Sequence, residues 1–364
     1  MSVQIVPIAG GGASGTWGGA WSETWGGTSG GRGDGRVGGS GNGRMGGSGN
    51  GRVGGRSNGR VVGGGDAGIR MRRIGFDRVI DTDMPIPGTR ALPPSVGWGA
   101  GNDGRGDGAI SICRSMTPLV RTDTPPIWSL AGDALHFAAP GVADYRCTPA
   151  RIDVTPTAGA QQDMVEALLI ATALPAVLWL QGDFMLHAAA VIPPDWGDGA
   201  LAIAGPSGSG KSRLAAGFLA RGAYLVADDS VAVRRPRHAD ATAPRCAGLA
   251  GGYHLPVQGG ASTRAFHPVA DRRARRAARL AAVVVLDDGS HASRTRLGAV
   301  AAVEALLANR HRASVPRLCG LDPRALRDAA WLARTVPVYR WPRDDADALL
   351  DDAIRRTIPH DDHG

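Results

Sequence analysis

Lysine is all but missing from this chain. Of its 364 residues, 41 are lysine or arginine, yet Lys211 is the only lysine. Arginine therefore serves wherever a surface cation is wanted, and a compact, mobile ammonium is kept at one place. Cysteine is scarce too. Cys113, Cys147, Cys246 and Cys319 are the whole set, and no two have CxxC spacing. That removes a CxxC metal or redox pair and makes free thiols of a cytosolic protein the expectation. A basic start followed by an apolar run is also absent, so no secretory signal is read. The longest apolar stretch, 164–180, contains Glu166 and Pro175 and stops at polar residues. It reads as a core helix that falls short of a membrane span. A cytoplasmic protein with no membrane partner is expected.

The formal net charge is +8. The arginines behind it are scattered through the chain, which reads as compositional bias rather than a nucleic-acid stripe, so no specific nucleic-acid partner is expected. One dense group, Arg272, Arg273, Arg275, Arg276 and Arg279, either meets phosphate or an acidic peptide or forms a solvated loop and strand entry.

Composition divides the chain. Residues 1–66 are dominated by Gly, Ser, Asn and Arg, with Trp17, Trp21 and Trp25 but almost no aliphatic run. GGSGNGRM at 38–45 recurs as GGSGNGRV at 46–53 and decays at 54–61. Such a segment loses much chain entropy on ordering and has little apolar surface to offset it. It is expected to be disordered, either as a native tail or as upstream sequence, with Met71 a candidate true start. Residues 71–160 read as a small β-rich region, with strands over 74–80, 109–113, 134–138 and 151–154. Asp81, Asp83 and Asp133 there are turn and surface residues. Residues 161–357 read as an α/β domain around a mixed sheet. Its expected elements are a helix over 163–180, a strand over 184–191 containing His187, a buried strand over 200–204 and a helix over 211–221 stopped by Gly222. Further strands are expected over 224–227, 231–234, 281–286 and 336–340, and helices over 297–309, 323–334 and 344–355. Residues 235–279 read as irregular.

The chemistry centres on residues 205–212, GPSGSGKS, a full match to G-x-x-x-x-G-K-[ST] between a buried strand and a helix. Glycines at such positions let backbone amides turn inward on phosphate oxygens, and the helix presents its positive end to the same anion. Gly205, Pro206, Ser207, Gly208, Ser209, Gly210, Lys211, Ser212 and Arg213 are the expected nucleotide-binding residues. Lys211 would reach the β- and γ-phosphates, and Ser212 would ligate Mg²⁺. Asp228 and Asp229 follow at a strand end. Asp228 is expected to take the proton from a hydroxyl nucleophile while Asp229 helps place the metal. The alternative is one Mg²⁺ aspartate plus a cap at Ser230. His187 is either a satisfied core histidine or a residue that contacts the transferred phosphate or polarises Asp228.

Three segments in this order, LHAAAV at 186–191, ALAIAGPSGSGKSR at 200–213 and RGAYLVADD at 221–229, resemble the C-terminal domain of HPr serine kinase/phosphorylase. The resemblance covers residues 183–234 well and runs loosely to about 357. It implies a P-loop α/β domain of the HPr-kinase and phosphoenolpyruvate-carboxykinase-like type, preceded by the β-rich region and the disordered Gly-rich tail. It also implies ATP and Mg²⁺ as cofactors, an oligomeric habit, Asp228 as acid/base, Asp229 as its metal-side neighbour, and His187 as an active-site residue. The family's glutamate-bearing signature has no counterpart here. Residues 248–258, GLAGGYHLPVQ, hold no acid, which argues against phosphorolysis and against HPr as target. The arrangement is similar to the HPr-kinase-related proteins of lasso-peptide and other modified-peptide pathways, which implies a serine-bearing peptide or small protein as substrate. Residues 246–258 and the arginine group would then be substrate-facing elements, or else an ordinary loop and a solvated strand edge. Two other functions compete. One is an ATP-binding regulatory or scaffold protein that transfers nothing. The other is RNA binding through the Gly/Arg tail.

Overall fold

Residues 17–18, 70–92, 108–116, 128–236, 243–256, 263–287 and 294–354 are described by a computed structural model. The expectation of disorder over 1–66 lies outside these residues, except at Trp17–Gly18, a two-residue strand that pairs with Thr263 and Arg264. The chain is mixed α/β.

Eight strands between Met71 and Pro156 form the first sheet. In spatial order they are Arg90–Ala91, Met71–Gly75, Arg78–Thr82, Ile110–Arg114, Arg151–Pro156, Ala143–Thr148, Ala134–Ala139 and Trp128–Ala131. The strand expected over 74–80 is instead the heart of a hairpin. The chain reverses at Phe76 and Asp77, both at φ 55. This left-handed pair matches the twist of a two-residue hairpin loop, a place usually taken by Asn or Gly. Phe76 tolerates it because its ring is 1% exposed and its amide donates to the Gly248 carbonyl at 3.0 Å. Apolar burial offsets the roughly 1–2 kcal/mol a non-glycine residue loses there.

The second sheet carries the candidate site. Its nine strands run in the order Phe184–Leu186, Val231–Arg234, Arg245–Ala247, Ala277–Asp287, Gly199–Ala204, Ala188–Ile192 and Tyr224–Ala227, with Val338–Pro342 added beside Ala277–Asp287 and Thr295–Arg296 beside Val338–Pro342. Gly199–Ala204 and Ala277–Asp287 are parallel neighbours. Every residue of the former is buried, as a near-continuous run of small and branched apolar side chains requires of a strand covered on both faces. Two expectations change. The strand expected over 184–191 breaks at His187, its first part pairing with Val231–Arg234 and its second with Gly199–Ala204 and Tyr224–Ala227. The region expected to be irregular over 235–279 contains Arg245–Ala247 and the hairpin Gly252–Pro256/Thr263–Pro268. Their Arg, Gly and Pro content hid them, because hydrogen bonding to neighbouring strands, not side-chain pattern, holds them.

Between the sheets runs the helix Gln162–Gln181, which is long and apolar enough to cross a membrane by length and composition. That corrects the expectation that it falls short. Yet 67% of its apolar window is buried in the protein, and all of Leu174 to Trp179 is buried. Its middle, Leu169–Ala173, is π-helical. The Tyr145 hydroxyl donates to the Val165 carbonyl at 2.7 Å. Side chains from both sheets and this helix make one continuous hydrophobic cluster.

One buried ion network ties the two sheets together. Arg78 donates to both oxygens of Asp183 at 2.9 Å, and Arg234 Nε reaches the same carboxylate at 3.0 Å. Arg78 and Asp183 are 5% and 4% exposed. Removing the anion leaves two guanidinium groups to share a buried place without it, a strongly destabilising change. Asp183→Ala is expected to lower the unfolding free energy by about 3–5 kcal/mol. Urea denaturation checks this; a loss under about 1 kcal/mol would mean the network is solvated.

Candidate active site

The loop between Gly199–Ala204 and the helix Lys211–Ala220 is shaped by glycine. Gly205, Gly208 and Gly210 have φ of 147, 80 and 96. A Cβ on Gly205 would stand 2.9 Å from Ser209 Oγ and 3.1 Å from the Leu286 carbonyl oxygen, so only glycine fits. Gly210 is the residue before the helix, and its left-handed turn aims the first helical amides back over the loop. Lys211 opens the helix. Its ammonium is folded onto the loop and donates to the carbonyls of Gly205 and Pro206, both at 2.9 Å. Lys211 is 7% exposed and Ser209 6%. Ser209 Oγ is buried with no hydrogen-bond partner among the described residues. A hydroxyl in that state costs free energy unless something fills the concavity. Pro206, Ser207, Gly208 and Arg213 are exposed.

The strand Tyr224–Ala227 delivers Asp228 and Asp229 beside this loop. The chain turns sharply there: the Ser230 amide donates to the Asp228 carbonyl at 2.9 Å, and Asp229 sits at φ 68. Non-glycine residues occupy that region rarely and at a cost of about 1–3 kcal/mol. The turn sends the two carboxylates to different partners. Ser212 Oγ donates to Asp228 Oδ1 at 2.8 Å, and the His254 amide donates to Asp228 Oδ2 at 2.9 Å. Asp229 Oδ1 lies 3.3 Å from His187 Nε2. The sequence expectation put Asp229 on the metal side with Ser212 and allowed His187 to polarise Asp228, whereas the fold sets Asp228 on Ser212 and Asp229 on His187.

A second histidine holds the turn, and no motif announced it. His311 is 5% exposed. Its Nε2 lies 3.1 Å from the Ala171 carbonyl, and its Nδ1 lies 2.8 Å from Ser230 Oγ and 3.2 Å from the Asp229 carbonyl. Each ring nitrogen faces a carbonyl, which only accepts, so a neutral ring gives its one proton either to Ala171 through Nε2, leaving Nδ1 to accept the Ser230 hydroxyl, or to the Asp229 side through Nδ1. Ala171 lies in the π-helical turn, and its carbonyl also accepts from Arg312 Nε at 2.8 Å. The backbone at 309–311 runs beside 185–187. His187 N donates to the Asn309 carbonyl at 2.8 Å and His311 N to the Met185 carbonyl at 2.9 Å. Burial pushes the His311 imidazole down to about 3. For Asp229, burial pushes upward, but the His187 hydrogen bond outweighs it, with the Arg312 charge adding, and the carboxyl is held well below its usual range. The site therefore keeps an anionic Asp229 beside a neutral His311.

The other sequence candidates separate. The hairpin strand Gly252–Pro256 reaches the site through the His254 amide, while Val257 and Gln258 lie outside the described residues. The arginine group is largely tied down. Arg275 lies 3.6 Å over the Tyr224 ring and Arg273 5.9 Å from it. Arg276 pairs with Asp77 at 3.2 Å and Arg279 with Asp198 at 3.3 Å. Among the described residues, no group of three or more His, Cys, Asp or Glu side chains is placed to hold a metal. All four cysteines are free thiols.

No family model matches the chain, and no curated protein matches it. Among solved structures, the HPr(Ser) kinase/phosphatase from Coxiella burnetii is similar over 48% of this chain and 95% of that chain, at 14% identity and a TM-score of 0.29. A likeness that loose leaves the functional argument to the site itself.

The His311 environment fixes a pH dependence. An unfolded chain titrates this ring at 6.5 and the folded chain at about 3. Between those values the unfolded state binds the extra proton, so stability falls as pH drops below about 6.5 and levels off near pH 3. The contribution approaches ~1.4 kcal/mol per pH unit. Urea melts across this acid range should show a shallower pH slope for His311→Gln than for the parent; equal slopes would mean the ring is protonated in the folded state.

Proposed function

We propose that the chain is a phosphotransferase: an ATP- and Mg²⁺-dependent kinase that moves the γ-phosphoryl group to a serine hydroxyl of a peptide or small protein in the cytoplasm. The observation that carries this reading is the division of two adjacent carboxylates, one onto the loop helix through Ser212 and one onto His187. A nucleotide-binding loop needs one acid on its metal side, and hydroxyl activation needs a second on the acceptor side.

On this reading residues 205–213 form the phosphate cradle. The ammonium of Lys211, now on two loop carbonyls, turns to the phosphate oxygens, and the buried Ser209 hydroxyl gains an acceptor. Ser212 Oγ and Asp228 Oδ1 are hard oxygen donors 2.8 Å apart, a set that suits Mg²⁺, which is commonly held by one or two protein oxygens together with phosphates. Mg²⁺ bound there supplies charge neutralisation on the phosphate oxygens. Asp229 accepts the proton of the serine hydroxyl as its oxygen bonds to the γ-phosphorus. The bond from that phosphorus to the bridging oxygen breaks, and ADP leaves. His187 keeps the Asp229 carboxylate aimed, and His311 with Ser230 keeps its backbone in the left-handed turn. The carboxylate's low basicity suits a reaction governed by position more than by proton transfer. These roles exchange the two aspartates relative to the sequence expectation.

The absence of an acid over residues 248–258 supports a target other than HPr and no phosphorolysis. Incubation of the full chain with γ-labelled ATP, Mg²⁺ and serine-containing peptides is the test. We expect label on serine, and a loss of about 10²–10⁴ in rate for Asp229→Asn with ATP affinity retained. An Asp229→Asn protein as fast as the parent would remove the assigned base. ATP binding without transfer to any hydroxyl would favour the scaffold reading instead.

A further inference from the structure

A cavity of about 650 Å³ opens between the two sheets, on the far side of the strand pair from the candidate active site. Its floor is the near-complete burial of Arg78 and Asp183, with Phe184 at 3% exposure as an apolar wall. Its rim is the helix Asp322–Thr335, which contributes Arg324, Asp328 and Trp331. The volume falls within the range of small-molecule sites, roughly 300–1,000 Å³.

The lining charges do not balance. Arg78, Arg234, Arg235 and Arg324 face Asp183 and Asp328, leaving two positive charges in excess. The excess is divided in space. Arg78 and Arg234 share the Asp183 carboxylate, with contacts of 2.9 and 3.0 Å. Arg235 and Arg324 share Asp328, at 3.0 and 3.5 Å. The inner pair has a second anion nearby, Asp77 at 4.0 Å from Arg234, so the unbalanced charge falls mainly on the outer pair, which shares one carboxylate. The outer pair is also displayed: Arg235 and Arg324 are 48% and 45% exposed, while their shared carboxylate is 14% exposed. Arg235 is held flat, with its guanidinium 4.8 Å over the Trp331 ring. Packing of this kind steadies a planar group whose donors suit carboxylate or phosphate oxygens, and only part of each group is used within the protein, Arg235 donating to the Arg327 carbonyl at 3.1 Å and Arg324 to the Gly182 carbonyl at 2.6 Å. The apolar contribution of Phe184, Trp331 and Leu332 leaves room for a non-polar body between the charged ends.

We propose that this cavity is a binding site for a small dianion with an apolar body, an aromatic dicarboxylate or a phosphomonoester, separate from the loop at 205–213. It lies at the Asp183 and Arg234 ends of the paired strands Phe184–Leu186 and Val231–Arg234, whose other ends meet His187 and Ser230. The two places are roughly 10 Å apart along the strands.

Isothermal titration of the full chain with phthalate and with phenyl phosphate tests this. We expect saturable binding of at least one probe, weakened tenfold or more in Arg235→Gln/Arg324→Gln and changed less than twofold in Lys211→Ala. Binding of phthalate alone assigns the dicarboxylate class, and binding of phenyl phosphate alone the phosphomonoester class. Should the double variant fail to fold, hydrogen exchange on the parent chain decides: the probe should slow exchange at residues 181–184 and over Asp322–Thr335. Absence of saturable binding by both probes would overturn the proposal. So would equal binding by the folded double variant, protection confined to the 205–213 loop, or loss of binding in Lys211→Ala.

Discussion

The turn closed by the Ser230 amide on the Asp228 carbonyl determines what this site can do. Adjacent residues on an ordinary strand present their side chains to opposite faces. Here the strand ends, Asp229 takes a left-handed φ of 68, and both carboxylates stay at the same end of the sheet while meeting different partners. That conformation is unfavourable for an aspartate taken alone. It persists because the surroundings over-determine it. The Ser230 hydroxyl is held by His311, His311 by the π-helical carbonyl of Ala171, and the backbone at 309–311 by the strand that precedes His187.

The same logic explains why the supporting elements are so apolar. A strained polar turn needs a rigid base, and Gly199–Ala204 with Ala277–Asp287 supplies it as a pair of parallel strands at the centre of the sheet. The helix Gln162–Gln181 packs across from the other sheet, and Trp179 Nε1 donates to the His311 carbonyl at 2.8 Å. The helix hydrophobic enough to be mistaken for a membrane span is therefore a brace for the site. Burial removes water from His311, which keeps its ring neutral in its contact with the Ser230 hydroxyl.

Much of this was legible in the sequence where the signal is local. The strand, loop and helix around residues 199–220 follow from a buried apolar run, three glycines and one lysine, and the observed bounds depart from the expected ones by a residue at most. The strands Tyr224–Ala227 and Val231–Arg234 were read to the residue. What escaped depends on distant partners. His311 stands 81 residues from Ser230 in a run of arginines, with nothing nearby to mark it. The pairing of Asp228 with Ser212 is shared with the His254 amide, 26 residues further on, which residue types alone do not give. The hairpin at Phe76–Asp77 lacks the usual turn residues because a buried aromatic ring stabilises it instead. The arginine group at 272–279 looked available in sequence, whereas Tyr224, Asp77 and Asp198 largely occupy it in the fold.

On the proposed function, the one lysine and its loop hold a nucleotide whose metal side is Ser212 with Asp228. Calorimetric titration of ATP into the full chain, with and without Mg²⁺, tests it most directly when repeated on Lys211→Ala and Asp228→Asn. Saturable binding strengthened by Mg²⁺ is expected, with a large loss of affinity in Lys211→Ala and loss of the Mg²⁺ effect alone in Asp228→Asn. Affinity unchanged in Lys211→Ala, or a Mg²⁺ effect intact in Asp228→Asn, would contradict it.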